Sequence, residues 1–138
     1  MVIIDASVVN KLFFPQEVGY VQVRNIIENH LNNSGMITVP DLLFYEVANA
    51  LATKTNVPKS KIGEALLELD NYGLEVFYPT IENMTNAGIF SKDNHVSVYD
   101  AIYVILAQEN KCDLITADDK FAKQVKLPFV KTLGEVKI

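Results

Sequence analysis

Five short apolar runs constrain this chain most. They are Val2–Ile4, Met36–Val39, Leu74–Tyr78, Leu114–Thr116 and Phe129–Lys131. As a set they lack the period-2 alternation of half-exposed strands. Apolar continuity in pieces this short marks strands buried on both faces of a parallel sheet. Helical patterns separate them, at 18–32, 41–53, 59–72, 81–90, 98–110 and 119–125. The first carries Val21, Ile26, Ile27 and Leu31. The second enters through Pro40-Asp41, with Asp41 as N-cap. The third begins after Pro58 and carries Ile62, Leu66, Leu67 and Leu69. Ser91-Lys92-Asp93-Asn94-His95 reads as the clearest loop. Strand-then-helix alternation predicts an α/β domain with a doubly wound or similar sheet.

At 138 residues the chain reads as a single domain spanning 1–138, without repeat or linker. A domain of this size buries roughly 68–70% of its unfolded surface. The net charge of −5 gives no support to a globally basic nucleic-acid binder. That charge is uneven. Residues 111–138 hold six lysines against four acids, a net +2, which leaves −7 on residues 1–110. A lysine-bearing tail beside acids suits a phosphate-bearing ligand at a metal site. It equally suits a solvated, amphipathic C-terminus. The lone Cys112 excludes an internal disulfide and a Cys-based zinc site, and fits a reducing compartment. The N-terminal sequence lacks a signal-peptide pattern, and no apolar run approaches 18 residues, so a cytoplasmic protein without a membrane span is predicted.

Four carboxylates stand where apolar segments would bury them. Asp5 closes Val2-Ile3-Ile4, and Asp118 follows Leu114-Ile115-Thr116-Ala117. Both fall at the carboxyl ends of predicted strands, where open α/β sheets bind ligands. Each has a structural alternative, since Asp is a favoured N-cap. Glu46 borders the stripe of Leu43, Val47, Ala50 and Leu51 on its helix, where a solvated edge is the competing role. Asp100 shares its face with Tyr103, Val104 and Ala107, although Ser97-Val98-Tyr99-Asp100 also resembles a capping box. Four separate structural roles would have to hold independently, whereas one acidic site accounts for all four.

Electrostatics limits what such a site can be. Two like charges ~4 Å apart repel by about 4 kcal/mol at an effective dielectric of ~20. Clustered carboxylates therefore need cations or must protonate with raised pKa. All-oxygen donors favour hard ions, Mg²⁺ or Mn²⁺ ahead of Ca²⁺. Such an ion lends itself to phosphate chemistry.

The segment Val2-Ile3-Ile4-Asp5-Ala6-Ser7-Val8-Val9 resembles the opening of PIN-domain nucleases. The likeness continues through Phe44-Tyr45-Glu46-Val47-Ala48-Asn49-Ala50-Leu51 and Val98-Tyr99-Asp100-Ala101-Ile102-Tyr103-Val104, and ends in Leu114-Ile115-Thr116-Ala117-Asp118. The size is similar to that of VapC-type toxins of toxin–antitoxin pairs. The resemblance implies a three-layer α/β/α sandwich with a mainly parallel sheet of about five strands. It also implies a Mg²⁺- or Mn²⁺-dependent endoribonuclease that cleaves RNA. Asp5, Glu46, Asp100 and Asp118 match the family's acidic quartet, with Asp5 and Asp100 as core metal ligands and Glu46 and Asp118 assisting. Thr116, Ser7 and Asn10 match nearby polar groups. Asp119 competes with Asp118 for the fourth place, which the Thr-x-Asp spacing assigns to Asp118. The family further implies homodimers and inhibition by a small cognate antitoxin.

Rival α/β readings fail on residues. A receiver-type domain needs an Asp after its middle strand, but Leu74–Tyr78 runs into Pro79-Thr80. A haloacid-dehalogenase-type phosphatase needs Asp-x-Asp, and Asp5-Ala6-Ser7 is not that. No Gly-rich phosphate loop occurs. A housekeeping RNA-processing nuclease shares the predicted chemistry. A non-catalytic interaction domain of the same fold is the alternative of a different class, and the intact acids argue against it. His30 and His95 are expected at the surface or in loops, and Tyr99 and Tyr103 in packing roles.

Overall fold

A computed structural model describes residues 1–33, 36–54 and 56–136. Strand β1 (Val2–Ile4) leads into a short helix α1 (Ala6–Asn10), a 3-10 turn at Lys11–Phe13 and helix α2 (Tyr20–Asn33). Then come β2 (Ile37–Pro40), α3 (Leu42–Thr53), α4 (Lys59–Asn71) and β3 (Glu75–Phe77). The helices α5 (Ile81–Asn94) and α6 (Val98–Asn110) precede β4 (Leu114–Thr116), α7 (Asp119–Val125), β5 (Val130–Thr132) and a closing 3-10 turn at Leu133–Glu135.

The strands form one sheet in the order β3-β2-β1-β4-β5, and every pairing is parallel. Ile3 sits opposite Thr38 on one side and Leu114 on the other. The chain moves outward from β1 through β2 to β3, crosses back to β4 and continues to β5. Right-handed crossovers therefore place α1–α4 on one face and α5–α7 on the other. The packing agrees: α3 lies against β2 and α1 against β4, while α6 crosses β1, β2 and β4. This is the predicted three-layer α/β/α sandwich. Strands β2 and β4 are buried at every residue, as are Ile3 and Ile4, whereas the edge strand β3 exposes Glu75. Among the described residues no helix is long and apolar enough to cross a membrane.

Helix α6 is buried continuously from Ala101 to Ala107. A helix apolar all round needs cover on both sides. The sheet supplies one, and α5 supplies the other through Ala87 and Phe90 against Ala101, Ile102 and Ile105. Asp100 thus sits in the first turn of α6, immediately before its buried stretch.

Several expectations are corrected. The stretch 91–95 is not a loop: α5 runs to Asn94 and ends at His95, whose φ of 57° makes it a left-handed cap donating to the Ser91 carbonyl. Its polar residues decorate a solvated helical turn, and that composition is the same in a loop. The stripe of α2 is Val23, Ile26, Ile27 and His30, not Val21 and Leu31, which are exposed. His30 is therefore a core residue, only 3% exposed. Its Nδ1 accepts from the Ile37 N–H at 3.0 Å, and its Nε2 lies 3.0 Å from the Tyr72 carbonyl, which makes Nε2 the donor. Tyr99 is 63% exposed and packs little, while Tyr103 is buried as expected. Leu67 is likewise exposed, because α4 turns only Ala65 and Leu69 fully inward. Asp41 has helical backbone angles and makes no side-chain cap.

Candidate active site

The four acids come from four elements that converge at the carboxyl edge of the sheet. Asp5 follows β1 and Asp118 stands two residues past β4, the neighbouring strands at which the chain's direction of travel across the sheet reverses. Glu46 lies in the second turn of α3, which leaves that edge after β2. Asp100 lies in the first turn of α6, which starts there and runs down to β4. A cleft of about 230 Å³ is lined by Asp5, Ala6, Ser7, Asn10, Glu46, Asn49, Asp100, Tyr103 and Asp118. It holds all four acids and no Lys, Arg or His. Larger clefts occur elsewhere, such as one of about 440 Å³ beside Phe14 and Pro58, but its two acids, Glu64 and Glu68, share it with Lys61.

Asp5 is 7% exposed, and the structural role weighed for it is also real. Its Oδ1 accepts from the Val8 N–H at 3.2 Å, capping α1, and from the Ser7 hydroxyl at 2.5 Å. Burial pushes its pKa up to about 6 against the hydrogen bonds from Ser7, Thr116 and Val8, with a further upward push from Asp100. Ser7 ties the two strand ends together: its Oγ accepts from the Ala117 N–H at 2.8 Å and lies 3.3 Å from the Thr116 hydroxyl. Thr116 is fully buried behind the cleft and accepts from the Asp118 N–H at 3.1 Å. Asp118 is exposed and caps α7 through Oδ1, which accepts from Phe121 N–H at 3.0 Å. Capping uses one oxygen of this carboxylate, so the cap and the cleft do not compete.

Glu46 is half-buried and accepts from the Tyr103 hydroxyl at 2.7 Å, a bond that links α3 to α6 over the sheet edge. Burial raises its pKa, Tyr103 opposes this, and Asp100 and Asp5 add to it. Burial first, then the Glu46 charge, holds the Tyr103 phenol far above its ordinary range, so it stays a donor. Asp100 is raised by burial, with Ser97 opposing and Asp118 adding repulsion. Only half of the suspected capping box exists: Ser97 Oγ accepts from the Asp100 N–H at 3.0 Å, and the Asp100 carboxylate makes no return bond.

Of the accessory residues, Ser7 and Asn10 line the cleft, and Thr116 supports it from behind. Asp119 faces away, into a groove between α7 and β5. Two polar lining residues lie outside the expected set. Tyr103 reads as packing from its helical phase, which is correct for its ring but silent about its hydroxyl. Asn49 stands three residues after Glu46, and that spacing on one helix was the available signal.

Asn10 Oδ1 is the one buried side-chain polar atom without a hydrogen-bond partner among the described residues. An orphaned acceptor beside three carboxylates of raised pKa is an environment short of positive charge. It fits a hard cation with an oxygen shell. Among the described residues no three His, Cys, Asp or Glu side chains converge tightly enough to cage an ion. An ion here would therefore take one or two carboxylates and keep several waters, the usual arrangement for Mg²⁺.

The family model of the PIN domain matches residues 2–127. The chain belongs to the PIN-domain family. No curated protein matches this PIN domain significantly. Among solved structures it is similar to VapC20 of Mycobacterium tuberculosis, a sarcin–ricin-loop-cleaving toxin, at TM-score 0.72 and 10% identity over 94% of this chain and 97% of that one. It is similar to a toxin–antitoxin complex from Klebsiella pneumoniae at TM-score 0.71 and 14% identity, covering 99% and 100%. FitAcB from Neisseria gonorrhoeae follows at TM-score 0.65 and 14% identity, again covering 99% and 100%. At these identities the likeness establishes the shared PIN fold.

Proposed function

We propose that this PIN domain is a Mg²⁺- or Mn²⁺-dependent endoribonuclease, the toxin of a VapBC-type pair, acting in the cytoplasm. The observation that carries this reading is the meeting of Asp5, Glu46, Asp100 and Asp118 around one cleft that holds no cationic side chain. Asp5 and Asp100 are assigned as the principal metal ligands, with Glu46 and Asp118 contributing through water. When bound, the metal would lower the pKa of a coordinated water and neutralise charge on an in-line phosphoryl transition state.

The chain's own residues prepare that centre. The Ser7 hydroxyl and the Val8 N–H both donate to Oδ1 of Asp5 and fix its orientation. Tyr103 holds Glu46 in the same way. The Ser97 cap sets the start of α6 and with it the position of Asp100. Asn10 and Asn49 supply neutral oxygens and donors for water or a scissile phosphate. The structural likeness to a toxin–antitoxin complex supports a small cognate antitoxin as partner, and a homodimer is the assembly expected of the family.

Purified protein incubated with RNA and Mn²⁺ or Mg²⁺ tests the chemistry. Cleavage should be lost in Asp5→Asn and in Asp100→Asn while circular dichroism keeps the wild-type fold. Full activity in both variants would refute the assignment. Induced expression should arrest growth, and co-expression of the small protein encoded beside it should relieve the arrest. Cleavage without toxicity would favour an RNA-processing nuclease.

A further inference from the structure

The lysine-rich C-terminal part of the chain has so far had no role. We propose that Lys120, Lys123 and Lys126 form a track that holds the backbone of single-stranded RNA where it leaves the acidic cleft. The proposal rests on the ribonuclease reading above and extends it to the substrate's path. A cleft bearing four acids, on a chain of net charge −5, repels a polyanion. A divalent ion would offset that repulsion at the cleft itself, and cations beside the cleft offset it along the rest of the strand.

Helix α7 is the element placed to do this. It begins immediately after Asp118, whose carboxylate caps it, so Lys120 stands in its first turn, two residues from a cleft acid. Phe121 and Val125 are buried, and the Gln124 amide donates to the Asn94 and His95 carbonyls at 2.9 and 2.7 Å. The helix is thereby held against the α5–α6 turn. Lys120, Lys123 and Lys126 are exposed at three-residue spacing over about 9 Å. Lys123 and Lys126 line an open groove of about 780 Å³ between α7 and β5, and Asp119 marks its end next to the cleft. Glu135 is the one further acid on its wall.

Pairing separates these lysines from most other cations. Lys11, Arg24, Lys54, Lys61 and Lys131 each lie within 2.8–3.6 Å of an acid. Among the described residues none of the three α7 lysines makes an ion pair. Lys59, Lys92 and Lys111 are also without one, but they stand singly on separate elements. A solvated helix face explains exposed lysines. It does not explain why three unpaired ones stand on, or directly cap, the helix that starts at the cleft.

The test measures binding of an unstructured, fluorescein-labelled oligouridylate by anisotropy between about 50 and 200 mM KCl, in an Asp100→Asn background that does not cut. Each single-strand phosphate contact contributes about 0.7 to the slope of log affinity against log salt. The triple change Lys120→Gln, Lys123→Gln, Lys126→Asn should lower that slope by about 2, and Arg at all three positions should restore it. Asn is chosen at Lys126 because its φ is 51°. An unchanged slope, or an equal loss per lysine from Lys59→Gln/Lys61→Gln on α4, would overturn the track. RNA cleaved by wild type with an unchanged slope sinks the track alone. Wild type that neither binds nor cleaves RNA sinks the ribonuclease reading with it.

Discussion

Replacing Asp5 by Asn should stabilise the metal-free protein above pH 6. The Asp5 carboxyl is held at about 6 by burial, against an ordinary value of 3.8. A carboxyl whose folded-state pKa is raised contributes stability that is full below the unfolded value and is lost as pH rises through the folded one. Here the loss runs between about pH 4 and pH 6 and amounts to about 3 kcal/mol at pH 8. Asn keeps an oxygen for the Val8 N–H and the Ser7 hydroxyl and removes the buried charge. For a chain of 138 residues the unfolding entropy is about 0.3 kcal/mol/K. The Tm of Asp5→Asn in EDTA should thus exceed wild type by up to about 10 °C at pH 8 and by almost nothing at pH 4. Mn²⁺ at 1,000 times its Kd should reverse the order, because an ion at that level stabilises the native state by about 4.1 kcal/mol. Only wild type should gain it. A variant less stable than wild type at pH 8 in EDTA, or a difference equal at both pH values, would refute the reasoning.

Tyr103→Phe keeps the buried ring and removes the donor to Glu46. It should weaken Mn²⁺ binding, measured by calorimetry, by roughly tenfold with little change in fold. His30→Ala strands the Ile37 N–H and the Tyr72 carbonyl and opens a cavity, so urea unfolding should show a loss of about 2–4 kcal/mol. Ser97→Ala removes the cap of α6 and should cost about 1 kcal/mol. RNA cleavage should fall with it if that cap positions Asp100.

Helix α1 shows where local pattern stops short. Ala6–Asn10 is too brief to display a period, and it forms because Asp5 caps it and the sheet covers Ala6, Val8 and Val9. His30 shows the opposite failure. Its polarity hid a place in the stripe of α2 that the spacing from Val23, Ile26 and Ile27 already marked. At Ser91–Asn94 the residue types suit a solvated helical turn and a loop alike, and only the covering of α6 by α5 decides between them.

The parallel three-layer architecture and the candidacy of the four acids were written in local order. Continuous apolar strand runs admit little else, and a carboxylate at the end of such a run needs a partner. What local order does not carry is distance between segments. The 2.7 Å bond from Tyr103 to Glu46 spans 57 positions, and the Ser7 link to Ala117 spans 110. Those contacts exist because parallel strands bring their carboxyl ends to one edge, where helices from both faces meet. The same packing raised the Asp5 pKa, orphaned the Asn10 oxygen and turned Asp119 into a separate groove. Burial and charge repulsion are sums over neighbours, and only the tertiary fold chooses the neighbours.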